Sequence, residues 1–405
     1  MPKPKLLPVA EALSRILADA SPLPAEHATL DNALGRVLTE DLTALRTQPP
    51  ADVSAMDGYA VRGADVESAP VTLKVIGEVA AGHPFAGKIG PGEAARIFTG
   101  GILPEGSDTV VIQEIAKRDG DTVSFSKPTA KSRNVREQGL DFRQGQVLLR
   151  KGRRLRDRDL MVAAAMNYPR LRVHRRPKVA VFGTGDELVP PGSAPKPGEI
   201  VYSNGFGLRA LARNEGADTV DLGVIGDTLQ AIAAAVRKAR EAQADVLVTT
   251  GGASVGEHDL VQRALTAGGM SLSFWRLALR PGRPMLYGRL GGMQVLGLPG
   301  NPVSSYVCAF LFLVPLIRML AGRTDAILAR EQAILGRDLP DNDEREDYLR
   351  ATLENGPNGP VATPLPDQDS SLMVPLSAAS CLLIRPARAP KAAAGSPCAI
   401  LNLGL

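Results

Sequence analysis

Residues 245–259 read DVLVTTGGASVGEHD. Val246, Leu247 and Val248 form a short aliphatic run, Thr249 and Thr250 extend it, and Gly251 and Gly252 break it. A run of this length, closed by glycine, predicts a buried parallel strand ending in a turn. In open α/β sheets ligands bind beyond the carboxyl ends of the strands. Two adjacent glycines let a phosphate or a ring approach the backbone with no Cβ in the way. Ser254 and Gly256 add a hydroxyl and more bare backbone, and Glu257 and Asp259 bring carboxylates to the start of the next helix. The glycines alone describe an ordinary strand–loop–helix turn. Hydroxyls and acids packed into the same loop favour a binding site.

The flanking sequence repeats the pattern. KVAVFGTGDEL, from Lys178, reads as a buried strand running into a turn with Asp186 and Glu187. Ser203 and Asn204 cap a helix through Glu215, and DTVDLGVIGD is a strand with Asp227 at its end. Residues 229–242 and 259–267 read as helices. LSFWRLAL, PMLYGRL and MQVLGLPG follow as strands, and a long helix after Pro302 closes the unit. This predicts a three-layer α/β domain of about 150 residues. Glu187, Asp227 and Asp259 then fall at the ends of successive strands. Residues 276–283, RLALRPGR, place three guanidinium groups near the same edge, and arginine matches phosphate or oxoanion oxygens in bidentate fashion. Gly300, Asn301 and Pro302 end a strand and open a helix whose N-terminus suits an anion. Acids, arginines and glycine loops together imply a phosphorylated, metal-assisted ligand.

The whole chain has 405 residues, enough for about two to four domains. Aromatic content of only 4%, beside 32 prolines and 41 glycines, points to small turn-rich domains around the α/β core. The net charge of +4 is too weak to imply nucleic acid. Cys308, Cys381 and Cys398 lack metal-ligand spacing and make no disulfide framework, which suits a reducing cytosol. The opening MPKPKLLPVAEAL has no apolar core of a signal peptide. Residues 303–320 are the most apolar run, but Pro315 and Arg318 interrupt it, so a buried core helix is expected rather than a membrane span.

Towards the N-terminus, Val9, Leu13, Ile16 and Leu17 share one helical face, and a short helical piece follows from Asp31. Residues 51–65, ADVSAMDGYAVRGAD, are polar and irregular, with Asp57 suited to an Asx-turn into Gly58. VTLKVIGEV, AARIFTG and DTVVIQE read as strands of a small β domain. Thr99 stands before Gly100 and Gly101 at one strand end. Residues 131–178 are densely basic with few interleaved aromatics, which reads as a solvated or anion-attracting face. Asp141 sits among them in EQGLDF, and residues 157–166 have the makings of a helix. After 330, DYLRATLE, MVPLSAASCLLIRPA and SPCAILNLGL are candidate strands of a last β domain.

SAMDGYAVR, RIFTGGILPEGSDTVVIQE, FGTGDEL, VTTGGASVGEHD, RPGRP and GLPGNPVSS occur in this order. Together they resemble the molybdopterin molybdenumtransferases, which include the bacterial MoeA proteins and the gephyrin E domain. The resemblance implies an elongated homodimer with its active site in a cleft shared by two subunits. Residues 1–45 with 145–177 would form a helical linker and dimerisation part, and 46–144 a small β domain. Residues 178–326 would be the α/β molybdopterin-binding domain, and 327–405 a C-terminal β-barrel-like domain. The implied reaction is insertion of molybdate into adenylylated molybdopterin with a divalent metal, Mg2+, giving molybdenum cofactor and AMP. A cytoplasmic protein is implied, with molybdopterin adenylyltransferase and molybdoenzymes or their chaperones as transfer partners, and neither nucleic acid nor membrane.

Carried over by position, Asp57, Thr99, Asp141, Glu187, Asp227 and Asp259 match catalytic residues of the family. Glu187, Asp227 and Asp259 would hold the metal or position the attacking oxygen, and Asp57, Thr99 and Asp141 would shape the molybdate side. Gly251, Gly252, Ser254, Gly256, Arg276, Arg280, Pro299, Asn301 and Pro302 would bind substrate. Family members often carry lysine where this chain has Arg276 and Arg280, so a point ammonium becomes a planar fork. A catalytically silent scaffold of the same fold is one alternative, against which the intact acids argue. The adenylyltransferase of the same pathway is another, but it is typically the single α/β domain. A nicotinamide dehydrogenase is poorly supported, because GTGDEL lacks the spacing of its glycine fingerprint.

Overall fold

The structure, a computed structural model, describes residues 6–251 and 260–404. The chain divides into two compact units: Met1–Glu26, Gly35–Thr39 and Arg172–Leu405 form one, and His27–Leu34 with Glu40–Leu171 the other.

The first unit is built on a six-stranded sheet: β1 (Lys178–Thr184), β2 (Asp218–Ile225), β3 (Val246–Thr250), β4 (Ser271–Trp275), β5 (Leu286–Leu290) and β6 (Met293–Leu298). The spatial order is β2-β1-β3-β6-β5-β4. The first four of these run parallel, and β5 and β4 add an antiparallel edge. Successive side chains of a strand face opposite ways. Val179 and Val181 of β1 therefore bury on one face with Val246, Val248, Leu296 and Leu298. Ala180 and Phe182 bury on the other with Leu247 and Val295. Helix Asn204–Asn214 covers the first face, and helices Leu229–Glu241 and Leu260–Ala267 cover the second. The expected three layers are present. Helix Leu229–Glu241 is alanine-rich, the Thr228 hydroxyl accepts from the Ala231 amide at 3.1 Å, and Lys238 and Arg240 lie in its last turn.

The apolar run after Pro302 forms one helix to Leu320, long and apolar enough to cross a membrane, yet 83% of it is buried. Its side chains belong to the core of the first sheet face, as expected of a core helix. Pro315 does not stop it. Residues Ala309–Leu313 form a π turn just ahead, which takes up the missing amide and the ring's clash with the preceding turn. Helix Val9–Ala18 buries Val9, Ala12 and Ile16 in this same core. The segments that the sequence groups as one helical part thus divide, since helix Asp157–Ala165 lies in the other unit.

Beyond residue 330 five strands close on themselves. Glu346–Gly356 pairs with Gly359–Pro364, then Glu331–Leu335, Pro397–Asn402 and Cys381–Arg385 follow, and the last returns to pair with the first. Leu279–Arg280 joins as an extra edge strand, parallel to Glu346 and Asp347. The strand expected from Met373 begins instead as helix Met373–Ala378, with only Cys381–Arg385 extended. Pro375 falls in its first turn, where proline is tolerated.

The second unit holds a six-stranded sheet in the order Thr109–Ile112, Gly58–Val61, Glu93–Ile97, Val71–Val79, Thr122–Phe125, Ala116–Asp119. Gly58–Val61, irregular by its sequence, is a central strand buried at every position. The basic run is not wholly a solvated face. Asp159 is buried, and the Arg153 and Arg156 guanidiniums donate to it. Burial pushes the Asp159 carboxyl up, but the two guanidiniums outweigh it and hold the group well below the usual range.

Glu215, at the end of helix Asn204–Asn214, accepts from Arg318 Nε at 2.7 Å and Nη2 at 2.8 Å, and from Arg323 Nη1 at 2.8 Å. This ties the helix to the end of the 302–320 helix. Removing one partner of a buried ion pair leaves the other charge uncompensated. Glu215→Ala is expected to cost about 3–5 kcal/mol, read as a lower denaturation midpoint of the first unit. A loss below about 1 kcal/mol would mean that water replaces the carboxylate.

Candidate active site

At the carboxyl ends of β1 and β3 the order β2-β1-β3 reverses the direction of winding, the position where open sheets leave a crevice. Gly251 ends β3 with φ +85, and a Cβ there would lie 2.2 Å from the Thr184 carbonyl oxygen. The adjacent strand therefore demands this glycine, whatever a ligand requires. Tyr202 is buried across the same strand ends: a Cβ at Gly183 or Gly205 would meet its ring at 2.4 Å or its hydroxyl at 2.3 Å.

The acids gather here. The buried Thr184 hydroxyl donates to Asp227 Oδ1, and the Asp227 amide donates to Asp186 Oδ1 at 3.2 Å. The ends of β1 and β2 are thereby tied, with Asp186 and Asp227 together and the exposed Glu187 next in the chain. The sequence marks Asp186 only as part of a turn, and no local signal foretells its contact with Asp227. Gly252, Ser254, Gly256 and Asp259 lie outside the described residues. Among the described residues no three acids, histidines or cysteines close on one point as a metal cluster would.

The turn after β6 is held from two sides. Pro299 is buried, and Asn204 Nδ2 donates to the Gly300 carbonyl at 2.7 Å. Asn301 Nδ2 donates to Ser370 Oγ at 2.8 Å. The Val303 amide, one of the free donors at the start of the helix opened by Pro302, is satisfied by the Ser370 carbonyl at 3.1 Å. The helix N-terminus therefore offers an anion fewer donors than the sequence implied. Arg350, which the sequence does not single out, is 1% exposed in the same C-terminal region. Its Nη2 donates to the Asp367 carbonyl at 3.0 Å, and its Nε has no partner among the described residues. Burial pulls this guanidinium below the ordinary arginine value, against Asp367 and Asp369.

The three arginines expected along one edge do not share one role. Arg280 stands on the edge strand of the barrel, so it pairs with Asp347, with Asp343 at 3.3 Å and with Asn342 at 3.1 Å. Its fork is engaged by carboxylates, not left open to an anion. Arg276 has φ +85 and lies 4.5 Å over the Trp275 ring, with a buried Nε that has no partner among the described residues. Arg283 is exposed.

In the second unit Asp57 and Thr99 meet. The Thr99 amide and hydroxyl donate to Asp57 Oδ1 at 2.8 and 2.7 Å. Asp57 thus reaches across to the next strand end, where the Asx-turn reading would have it serve Gly58. Arg96, on the strand before Thr99, stacks 5.3 Å from Tyr59 and 4.8 Å from Phe98 and donates to the Gly58 carbonyl at 3.2 Å. The Thr99 amide, then its hydroxyl, and lastly the Arg96 charge hold the Asp57 carboxyl below its ordinary value. Asp141 is exposed where Phe142 pairs with Gln48.

A chain built this way is a multidomain protein organised around a nucleotide-style α/β crevice with a β domain on either side in sequence. The family models agree over nearly its whole length. The MoeA N-terminal region (domain I and II) matches residues 7–167, the probable molybdopterin binding domain 180–319, and the MoeA C-terminal region (domain IV) 332–403. A molybdopterin molybdenumtransferase of Haemophilus influenzae is 36% identical over 78% of this chain and 78% of its own. One from Bacillus subtilis is 33% identical over 94% of this chain and 90% of its own. The crystal structure of a molybdopterin biosynthesis MoeA protein from Pyrococcus horikoshii superposes with a TM-score of 0.82 at 31% identity, covering 98% of this chain and 99% of that one. The chain belongs to the molybdopterin molybdenumtransferase family.

The Asp57 contact is open to test through its proton. Thr99→Val keeps the amide donor and loses the hydroxyl, so the carboxyl moves up towards its ordinary value. If ionised Asp57 is needed for turnover, the acid limb of the pH–activity profile shifts to higher pH in Thr99→Val and stays in place in Thr99→Ser. An unmoved limb in Thr99→Val would assign it to another group.

Proposed function

We propose that this protein transfers molybdenum from molybdate to adenylylated molybdopterin, forming molybdenum cofactor and releasing AMP. The observation that carries the reading is the Thr184–Asp227–Asp186 cluster at the crevice of the domain matched to molybdopterin binding. The bond broken is a phosphoanhydride. Its cleavage needs an oxygen aimed in line at phosphorus and compensation of the charge that grows on the phosphate oxygens.

The acids present suit a hard divalent cation. Mg2+ usually binds one or two carboxylates together with substrate phosphates, which does not require a preformed cluster of three. Asp227 and Glu187, with Asp259, would hold it, and bound Mg2+ would neutralise the phosphoanhydride oxygens. Thr184 fixes the orientation of Asp227, and Asp186 fixes its backbone. Asp57, held ionised by Thr99, and Asp141 would act on the molybdate side. Arg276 and Arg350 each have a buried Nε with no partner among the described residues, and would receive an oxoanion in place of the engaged Arg280. A cytoplasmic homodimer belongs to the same reading. It would take substrate from the adenylyltransferase and pass cofactor to molybdoenzymes or their chaperones.

The test is AMP release from adenylylated molybdopterin by the purified protein with Mg2+, with and without molybdate. Molybdate-dependent release is expected, and Asp227→Asn should lower it at least about a hundredfold with an unchanged melting temperature. Tight binding without release in either condition would overturn the enzyme reading in favour of a carrier or scaffold.

A further inference from the structure

A cavity of about 330 Å3 lies where helix Asn204–Asn214 and the 302–320 helix begin, closed by helix Met373–Ala378. Its walls are mostly apolar, from Leu208, Tyr306, Met373 and Leu376, with the hydroxyl residues Ser203 and Ser305 among them. Both hydroxyls are poorly used. Ser305 is 1% exposed, and its Oγ has no partner among the described residues. A helical serine ordinarily satisfies itself on the carbonyl one turn back. Ser203 Oγ donates to the Met373 thioether at 3.4 Å, a weak acceptor.

A concave apolar space with a few convergent polar groups is the usual form of a small-molecule site. Among the described residues no charged side chain lines it, so they offer a phosphate or carboxylate no counter-charge there. An aliphatic chain would leave both hydroxyls unpaired. A flat ring system with nitrogen acceptors and an amino group on its edge satisfies walls and hydroxyls together. Pro302 of the turn after β6, and Asn204, which donates to the Gly300 carbonyl of that turn, also line the cavity, so it adjoins the candidate active site.

We propose that this cavity receives the fused nitrogen heterocycle of the substrate, its faces against Leu208, Tyr306 and Met373 and its edge on Ser203 and Ser305. The assignment rests on the adenylylated-pterin reading. That substrate carries two such rings, adenine and pterin, and their shared chemistry is what the cavity fits.

Calorimetric titration of AMP and of neopterin, separately, into wild type, Ser305→Ala and Leu376→Trp tests it. Leu376 is half-buried on a short surface helix, so tryptophan fills the cavity without entering the core. One probe should bind wild type, and its identity names the ring. Its affinity should fall about tenfold in Ser305→Ala and beyond measurement in Leu376→Trp, with melting temperatures unchanged. Should Leu376→Trp melt early, Ser305→Ala alone decides. Wild-type affinity in the variants, or no binding of either probe to wild type, overturns the assignment. The AMP-release assay separates the two claims. Cavity-dependent binding without molybdate-dependent release sinks the enzyme reading alone, and release with an unchanged KM and unchanged probe affinity in both variants sinks the cavity assignment alone.

Discussion

Burial of the central strands on both faces is the constraint on which the first unit depends. Val179 to Phe182 and Val246 to Val248 alternate between two helix layers and leave no polar position along these stretches. Chemistry is thereby confined to the strand ends, where the backbone must turn. There the tight approach of β3 to β1 excludes any side chain at Gly251, and the Thr184 hydroxyl next to it orients Asp227. The packing of the sheet and the placement of its acids are consequences of one geometry.

The C-terminal barrel joins the same unit by apolar contact, through Tyr348, Leu382, Ile384 and Leu401, and reaches the strand-end region through hydrogen bonds as well. Ser370 caps Val303 and receives Asn301, and Arg280 leaves the α/β segment to pair with Asp347. Such contacts position the 300–302 turn and also occupy donors that an anion would use. A guanidinium in sequence is only a potential ligand. Its partners decide whether it is already engaged, as at Arg280, or keeps a donor open, as at Arg350.

The Asp57–Thr99 pair achieves its order differently in the second unit. A carboxylate reaching a neighbouring strand end through an amide and a hydroxyl is held in one orientation and kept ionised. Arg96 supports it from between two aromatic rings. Asp57 and Thr99 lie far apart in the chain, and the strand Gly58–Val61 that aligns them is too short and glycine-bearing to declare itself.

Local sequence was enough to specify the α/β layers, the core helix after Pro302 and the strand ends carrying Glu187 and Asp227. Those features follow from apolar period, length and glycine punctuation, which need no knowledge of partners. Long-range packing was needed to settle that a π turn absorbs Pro315, that 373–378 is helical and that Asp159 is buried between arginines. It also settled which arginines are already paired and that Ser203 and Ser305, with under-used hydroxyls, line one cavity. These outcomes depend on contacts between residues far apart in the chain, and only folding brings those residues within hydrogen-bonding range.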